Sequence, residues 1–337
     1  MTVKSHSIVT EFSLRGLTKQ PDLQLFHFLI FLDIHMVTMV GNLGMITLIC
    51  LNSQLHTPMY YFFSNLSLLD LCYSSITNPK MLVNFVLKKS IISYAGYMSK
   101  FYFFLVFVIA RCYMLMVKAC DHYVAICCPL LCNVIMSHVT CSLMVAVVYT
   151  MGLVVSTIET GLILKLPYCE LLTSRCFCDI LPLMKLSRSS AYDVEMAVFF
   201  FARFNLRIMI LTVLVSYTFI LFSILHISTT EGRSKVFSTC SFHLAAIGMF
   251  HGKTAFRYLK PAITSSLAQE NVASVFYTTV IYVPNPLMYS LKNKDVKAAM
   301  QKTLRSKFCC RCNYLELLIN PIQYQYRKEA FWRFTKP

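Results

Sequence analysis

Seven apolar stretches, each about long enough to cross a bilayer as a helix, recur along the chain. They are Leu25–Cys50, Met59–Leu82, Phe101–Ile126, Val139–Leu164, Met196–Ile227, Val236–Tyr258 and Val272–Leu291. The polar connections between them are short, except for about thirty residues between the fourth and fifth. No soluble domain is inserted, and nothing repeats at a fixed period. The pattern predicts an all-α fold, a seven-transmembrane helix bundle. A shorter stretch, Lys294–Leu304, gathers Val296, Ala299, Met300 and Leu304 on one helical face and predicts an amphipathic eighth helix lying on the membrane.

Composition agrees with the pattern. Of 337 residues, 57% are hydrophobic and 14% charged, more apolar surface than a water-soluble fold of this size can hide. The net charge of +16 does not indicate nucleic acid, because no basic stripe with interleaved aromatics accompanies it. Much of the excess follows Leu291, beside the last apolar segment, where anionic lipid is the natural partner. Met1–Gln24 lacks the apolar core of a cleavable signal, so the first helix is expected to serve as its own targeting signal. Basic residues divide almost evenly between the two sides and do not set the orientation. Cys169, Cys176 and Cys178 in the long loop favour an oxidising compartment there, and hence an extracellular N-terminus.

Ionisable residues inside such spans are functional candidates, because hydrocarbon disfavours them. The segment MLMVKACDHYVAICCPL places Lys118, Asp121 and His122 at the end of the third span. Arg111, Lys118 and His122 are spaced by seven and four, which puts them on one face. Asp70 lies in the second span. Arg203 and Arg207 are one turn apart in the fifth, and Lys253 and Arg257 repeat that spacing in the sixth. These basic pairs fit either an anion-binding pocket or side chains reaching out to the headgroups. One strong helix break is evident, at Pro284 and Pro286 in the seventh span. A transporter would call for paired broken helices. There is no P-loop, GxSxG or HExxH, and the histidines lack metal-ligand spacing, so no enzyme activity, cofactor or metal is expected.

Four motifs in register, LHTPMYYFFSNLSLLDLCYSS, DHYVAIC, KVFSTCSFH and PNPLMYSLKNKDVKAA, resemble the signatures of odorant receptors within the rhodopsin-like G-protein-coupled receptors. The likeness runs from about Glu11 to Lys307. It implies a receptor that binds a small volatile, apolar odorant in the outer half of the bundle and activates a stimulatory G protein. It also implies an extracellular segment 1–24, a bundle 25–291, a juxtamembrane helix 292–307 and an atypical cytoplasmic tail 308–337, with acylation of Cys309, Cys310 or Cys312 an open alternative to bare thiols. The coupling and switch residues it points to are Asp121, His122, Tyr123, Ser238, Thr239, Cys240, Asn285, Pro286 and Tyr289. Helical spacing puts Phe104, Leu105, Val108, Ile109 and Cys112 on the pocket side of the third helix, with His251 and Tyr258 at corresponding depth on the sixth.

Against that family pattern the chain departs at several places. His122 stands where the family carries arginine, either as a polar residue at a helix end or as a weakened coupling triplet. Arg111 stands where relatives carry a carboxylate that helps bind sodium, so an Asp70–Arg111 pair is expected in place of the ion. Lys118 has no evident acidic partner. Tyr97 and Arg188 replace the cysteines expected to bridge Cys178 and Cys169, leaving both bridges incomplete. Ser5 replaces the glycosylated asparagine, and the sequon Asn65-Leu66-Ser67 lies inside the second span, so no N-glycan is expected. Together these departures raise the alternative of a decayed family member retained in the endoplasmic reticulum, with little surface expression or signalling.

Overall fold

The computed structural model describes residues 11–14, 21–86, 90–165, 173–174, 192–226, 230, 233–234, 236–237, 240–241, 244–245, 247–248 and 296–303. Five long helices account for most of them. They are α1 (Pro21–Leu51), α2 (Pro58–Val86), α3 (Tyr94–Cys127), α4 (His138–Leu164) and α5 (Tyr192–Leu225). These correspond to the first five apolar runs. The sixth is described only at scattered helical positions, and the seventh lies outside the described residues.

Helix ends follow local chemistry that hydropathy does not register. Both α1 and α2 open on proline, whose fixed φ and missing N–H suit a first turn. Ser93 caps α3 by accepting from the Gly96 amide at 3.2 Å, so the helix starts nearly two turns before the apolar run. Ser137 caps α4 through the Thr140 amide at 3.3 Å. Pro79 lies inside α2, which runs on as one helix from Pro58 to Val86. Neighbouring side chains make such a proline tolerable within a membrane.

Four of the five helices, α1, α3, α4 and α5, are individually long and apolar enough to cross a membrane. α2 is not among them. Its polar residues Ser67, Asp70, Ser74 and Asn78 recur every three or four positions and are all buried, so α2 turns a polar stripe into the bundle. At its outer half His35 of α1 completes a polar contact. Its Nδ1 lies 2.9 Å from Ser74 Oγ and 3.0 Å from Asn78 Nδ2, while Asn78 donates to Ser74 at 2.8 Å. Side-chain hydrogen bonds of this kind hold membrane helices together where apolar burial has no directional preference.

α3 is the centre of the assembly, packing on α2, α4 and α5. Its approach to α4 is closest at Gly152, where an added Cβ would lie 3.0 Å from Ala110 Cβ and 3.1 Å from the Val106 carbonyl. At the end of the bundle where α3 begins, three short strands form a sheet. β1 (Glu11–Leu14) lies between β2 (Ser90–Ser93), antiparallel, and β3 (Thr173–Ser174), parallel. At the opposite end residues 296–303 are helical, and Val296 and Ala299 bury against Met45, Leu48, Tyr60 and Phe63. Asn52 donates to Thr303 at 3.2 Å. Met300 is exposed, and Leu304 lies outside the described residues.

Candidate functional site

The inward face of α3 carries its charges in a column. Uppermost is Arg111, whose Nη1 forms an ion pair with Asp70 Oδ1, both side chains almost fully buried. It is the one ion pair among the described residues. The guanidinium occupies the space a cation would need beside Asp70, so the carboxylate is neutralised from within the protein. Two groups taken from water together are stabilised by mutual attraction in low dielectric, whereas either one left alone carries a large desolvation cost.

Two turns below, Lys118 is 1% exposed. Its Nζ lies 4.9 Å from the centroid of the Phe63 ring on α2, a cation–π contact. Asp121, one turn further along α3, is within its electrostatic reach. The buried lysine therefore has an aromatic face as partner, with the Asp121 carboxylate within electrostatic reach.

Asp121 and His122 are themselves buried, while Tyr123 is half-buried with its ring 5.8 Å from that of Phe219 on α5. Cys127 Sγ lies 3.0 Å from Ser223 Oγ, a second tie between α3 and α5 at this end. Burial pushes the nearby Cys132 thiol above its ordinary pKa, and the Asp121 carboxylate adds to the shift. Cys240 sits in the same core as α3. Ser238, Thr239, Asn285, Pro286 and Tyr289 lie outside the described residues.

Along the middle of α3, Leu105 is buried, Cys112 is buried within the main core, and Phe104, Val108 and Ile109 are half-buried against that core. The Phe104 ring lies 5.5 Å from that of Tyr73. Tyr113 donates its hydroxyl to Asn205 Oδ1 of α5 at 2.6 Å. Arg203 and Arg207 lie on the exposed side of α5, which suits reaching for headgroups rather than lining a pocket. Tyr97 is buried at the outer end of α3. His251, Tyr258, Lys253, Arg257, Ser5, Cys169, Cys176, Cys178, Arg188 and the Cys309–Cys312 cluster lie outside the described residues.

One buried acid escaped the sequence reading. Glu159 of α4 is 4% exposed, on the face turned to α3. The rule that singled out Asp70 applies equally to it: an ionisable residue in the middle of an apolar run. It was hidden because a single acid barely lowers the average of α4.

The arrangement defines a class before it defines a family. Long apolar helices with buried polar residues turned inward around a central third helix make a multi-pass membrane bundle. A family model described as olfactory receptor matches residues 31–307. Olfactory receptor 8A1 of Homo sapiens is 75% identical over 307 residues, 91% of this chain and 94% of the relative. Its namesake from Mus musculus is 69% identical over 307 residues, covering 91% and 99%. Olfactory receptor 8D4 of Homo sapiens is 55% identical over 308 residues, covering 91% and 98%. The chain belongs to the olfactory receptor family. Its fold is the all-α seven-transmembrane bundle, and it is a membrane receptor, not an enzyme.

Proposed function

We propose that this receptor binds a small volatile, apolar ligand in the outer half of the bundle, beside Phe104, Leu105, Val108, Ile109 and Cys112. On this reading the N-terminus is extracellular and the cytoplasmic ends of the helices engage a stimulatory G protein. The observation that carries the reading is α3 itself. One continuous helix carries those five residues in its middle and Asp121, His122 and Tyr123 near its C-terminal end, and it packs on α2, α4 and α5. A ligand that favours one arrangement of α3 among its neighbours shifts the state presented at the far end, in proportion to its differential affinity. His251 and Tyr258 on the sixth span, and Ser238, Thr239, Asn285, Pro286 and Tyr289 at the cytoplasmic side, complete the proposed pocket and switch. The test is cyclic AMP in cells bearing an N-terminally tagged receptor and exposed to an odorant panel. A weak rise is expected, strengthened by His122→Arg. A full-strength response from the natural triplet, unchanged by the substitution, would overturn the account of coupling.

A second reading is favoured by the Asp70–Arg111 pair and by buried His122: a receptor held in one state and poorly exported, with weak signalling. Surface labelling of the natural chain is expected to fall well below that of a variant carrying Tyr97→Cys, Arg188→Cys and Ser5→Asn. Equal surface levels would remove this reading.

A further inference from the structure

A groove of about 340 Å³ runs along α1 beside the helix over residues 296–303. Val40, Leu43, Gly44, Thr47 and Leu51 line it, with Thr303 across from them. The five α1 residues share one helical face, and all are exposed. Gly44 leaves the backbone bare in the middle of that face: an added Cβ would meet nothing within 4 Å among the described residues. The walls ask for no hydrogen bond. Thr47 donates its hydroxyl to the Leu43 carbonyl at 2.8 Å, and Thr303 donates to the Ala299 carbonyl at 2.9 Å. An occupant of the groove therefore meets an apolar surface whose few polar atoms are already satisfied.

Length and charge narrow what fills it. From residue 40 to residue 51 a helix rises about 16 Å, close to half of a hydrocarbon core of roughly 30 Å. That is the depth of one leaflet, which suits a lipid chain better than a whole membrane helix. Lys297 and Lys302 are exposed on the helix over residues 296–303, which contains no acid. Lys302 directly precedes Thr303 of the groove. Residues 292–307 together hold six basic residues and one acid, Asp295. A sterol, or a thioester-linked chain on Cys309, brings no negative charge to answer these cations. A second copy of the chain would set the same positive segment against itself.

We propose that this groove binds one anionic phospholipid, with an acyl chain along Val40–Leu51 and its phosphate beside Lys297 and Lys302. The chain gains only packing, because lipid tails are already in hydrocarbon. The lysines supply the preference for a negative headgroup. None of these residues belongs to the ligand or coupling candidates, so the site is additional to them. With an extracellular N-terminus the groove opens into the cytoplasmic leaflet, where anionic lipids concentrate.

The experiment places the purified full chain in phosphatidylcholine nanodiscs doped with a phospholipid that carries a photoreactive group in its acyl chain. The probe is made with a serine or a choline headgroup, and the labelled peptides are mapped by mass spectrometry. The serine probe is expected to label the Val40–Leu51 peptide about tenfold more than the choline probe, given two lysines near the headgroup. The double substitution Lys297→Gln, Lys302→Gln should bring the two probes close to parity. Gly44→Leu fills the groove and should cut labelling of that peptide by both probes, with thermal unfolding in plain phosphatidylcholine unchanged. Should Gly44→Leu fail to fold, the exposed lysine pair still decides through the ratio of the two probes. Equal labelling by the two headgroups, or a preference that survives loss of both lysines, would overturn the proposal. So would labelling indifferent to Gly44→Leu in a folded chain, which marks lipid spread at random over the helix. Stronger labelling by a sterol probe, a cross-link joining two copies through this peptide, or blockage by a thioester-linked chain on Cys309, Cys310 or Cys312 would give the groove to another occupant and overturn it too.

Discussion

α3 meets α2 and α4 in contrasting ways. Towards α2 it presents full charges, and each finds a complement: Arg111 the carboxylate of Asp70, Lys118 the ring of Phe63. Towards α4 it presents bare backbone and small side chains, with Gly152 seated on Ala110 and Val106. Glu159, buried on α4, forms no ion pair among the described residues. Hydrocarbon makes both solutions available. One interface is held by electrostatic complementarity that tolerates distance, the other by close approach that tolerates no added atom. They should therefore fail differently.

The largest effect is expected from splitting the ion pair. Asp70→Ala leaves the Arg111 guanidinium buried without its carboxylate and should destabilise the bundle by about 3–5 kcal/mol. Thermal unfolding of the purified chain measures it. The double variant Asp70→Leu, Arg111→Leu should recover most of that loss, since removing both charges removes the desolvation cost with them. If the single and double variants unfold alike, the two groups are not energetically coupled and the contrast between the interfaces collapses.

A smaller effect, of about 1–3 kcal/mol, is expected where α3 and α4 touch. Gly152→Ala pushes a methyl against Ala110 Cβ and the Val106 backbone, so the helices have to separate. Gly161→Ala, on the same helix, has nothing within 4 Å and should be neutral or stabilising by up to about 1 kcal/mol, as a helix interior favours alanine. Opposite signs from one substitution type would locate the contact; equal signs would argue against it. The smallest effect belongs to Lys118 and Phe63. A double-mutant cycle of Lys118→Met and Phe63→Leu should return a coupling of about 0.5–2 kcal/mol. A coupling of zero would remove the cation–π contact as a source of stability.

How far these interfaces were legible in the sequence depended on the kind of signal. The spans were, because about twenty apolar residues in a row have few other uses. Asp70 with Arg111 was anticipated from a carboxylate and a cation at positions that face one another in a known family. Lys118 with Phe63 was not, because an aromatic ring carries no formal charge to be matched by eye. The contact of His35 with Ser74 and Asn78 escaped for a related reason: neutral polar residues in a span look like tolerated impurities until geometry brings them together. Helix starts moved because caps at Ser93 and Ser137 act through single hydrogen bonds that an average over a window cannot see.

The outer sheet has a consequence for biosynthesis. β1 is the first of its strands to leave the ribosome, yet it occupies the middle of the sheet, between partners that follow the second and fourth spans. Its bonds to β2 wait for two crossings and those to β3 for four, and the sheet closes only when all three segments have been delivered to one side of the bilayer. Closure is thus a late, long-range event, of the slow sort that contact order describes. It doubles as a check on topology. A chain that has inserted one helix too few or too many leaves its first strand facing the wrong compartment, unpaired and exposed to quality control.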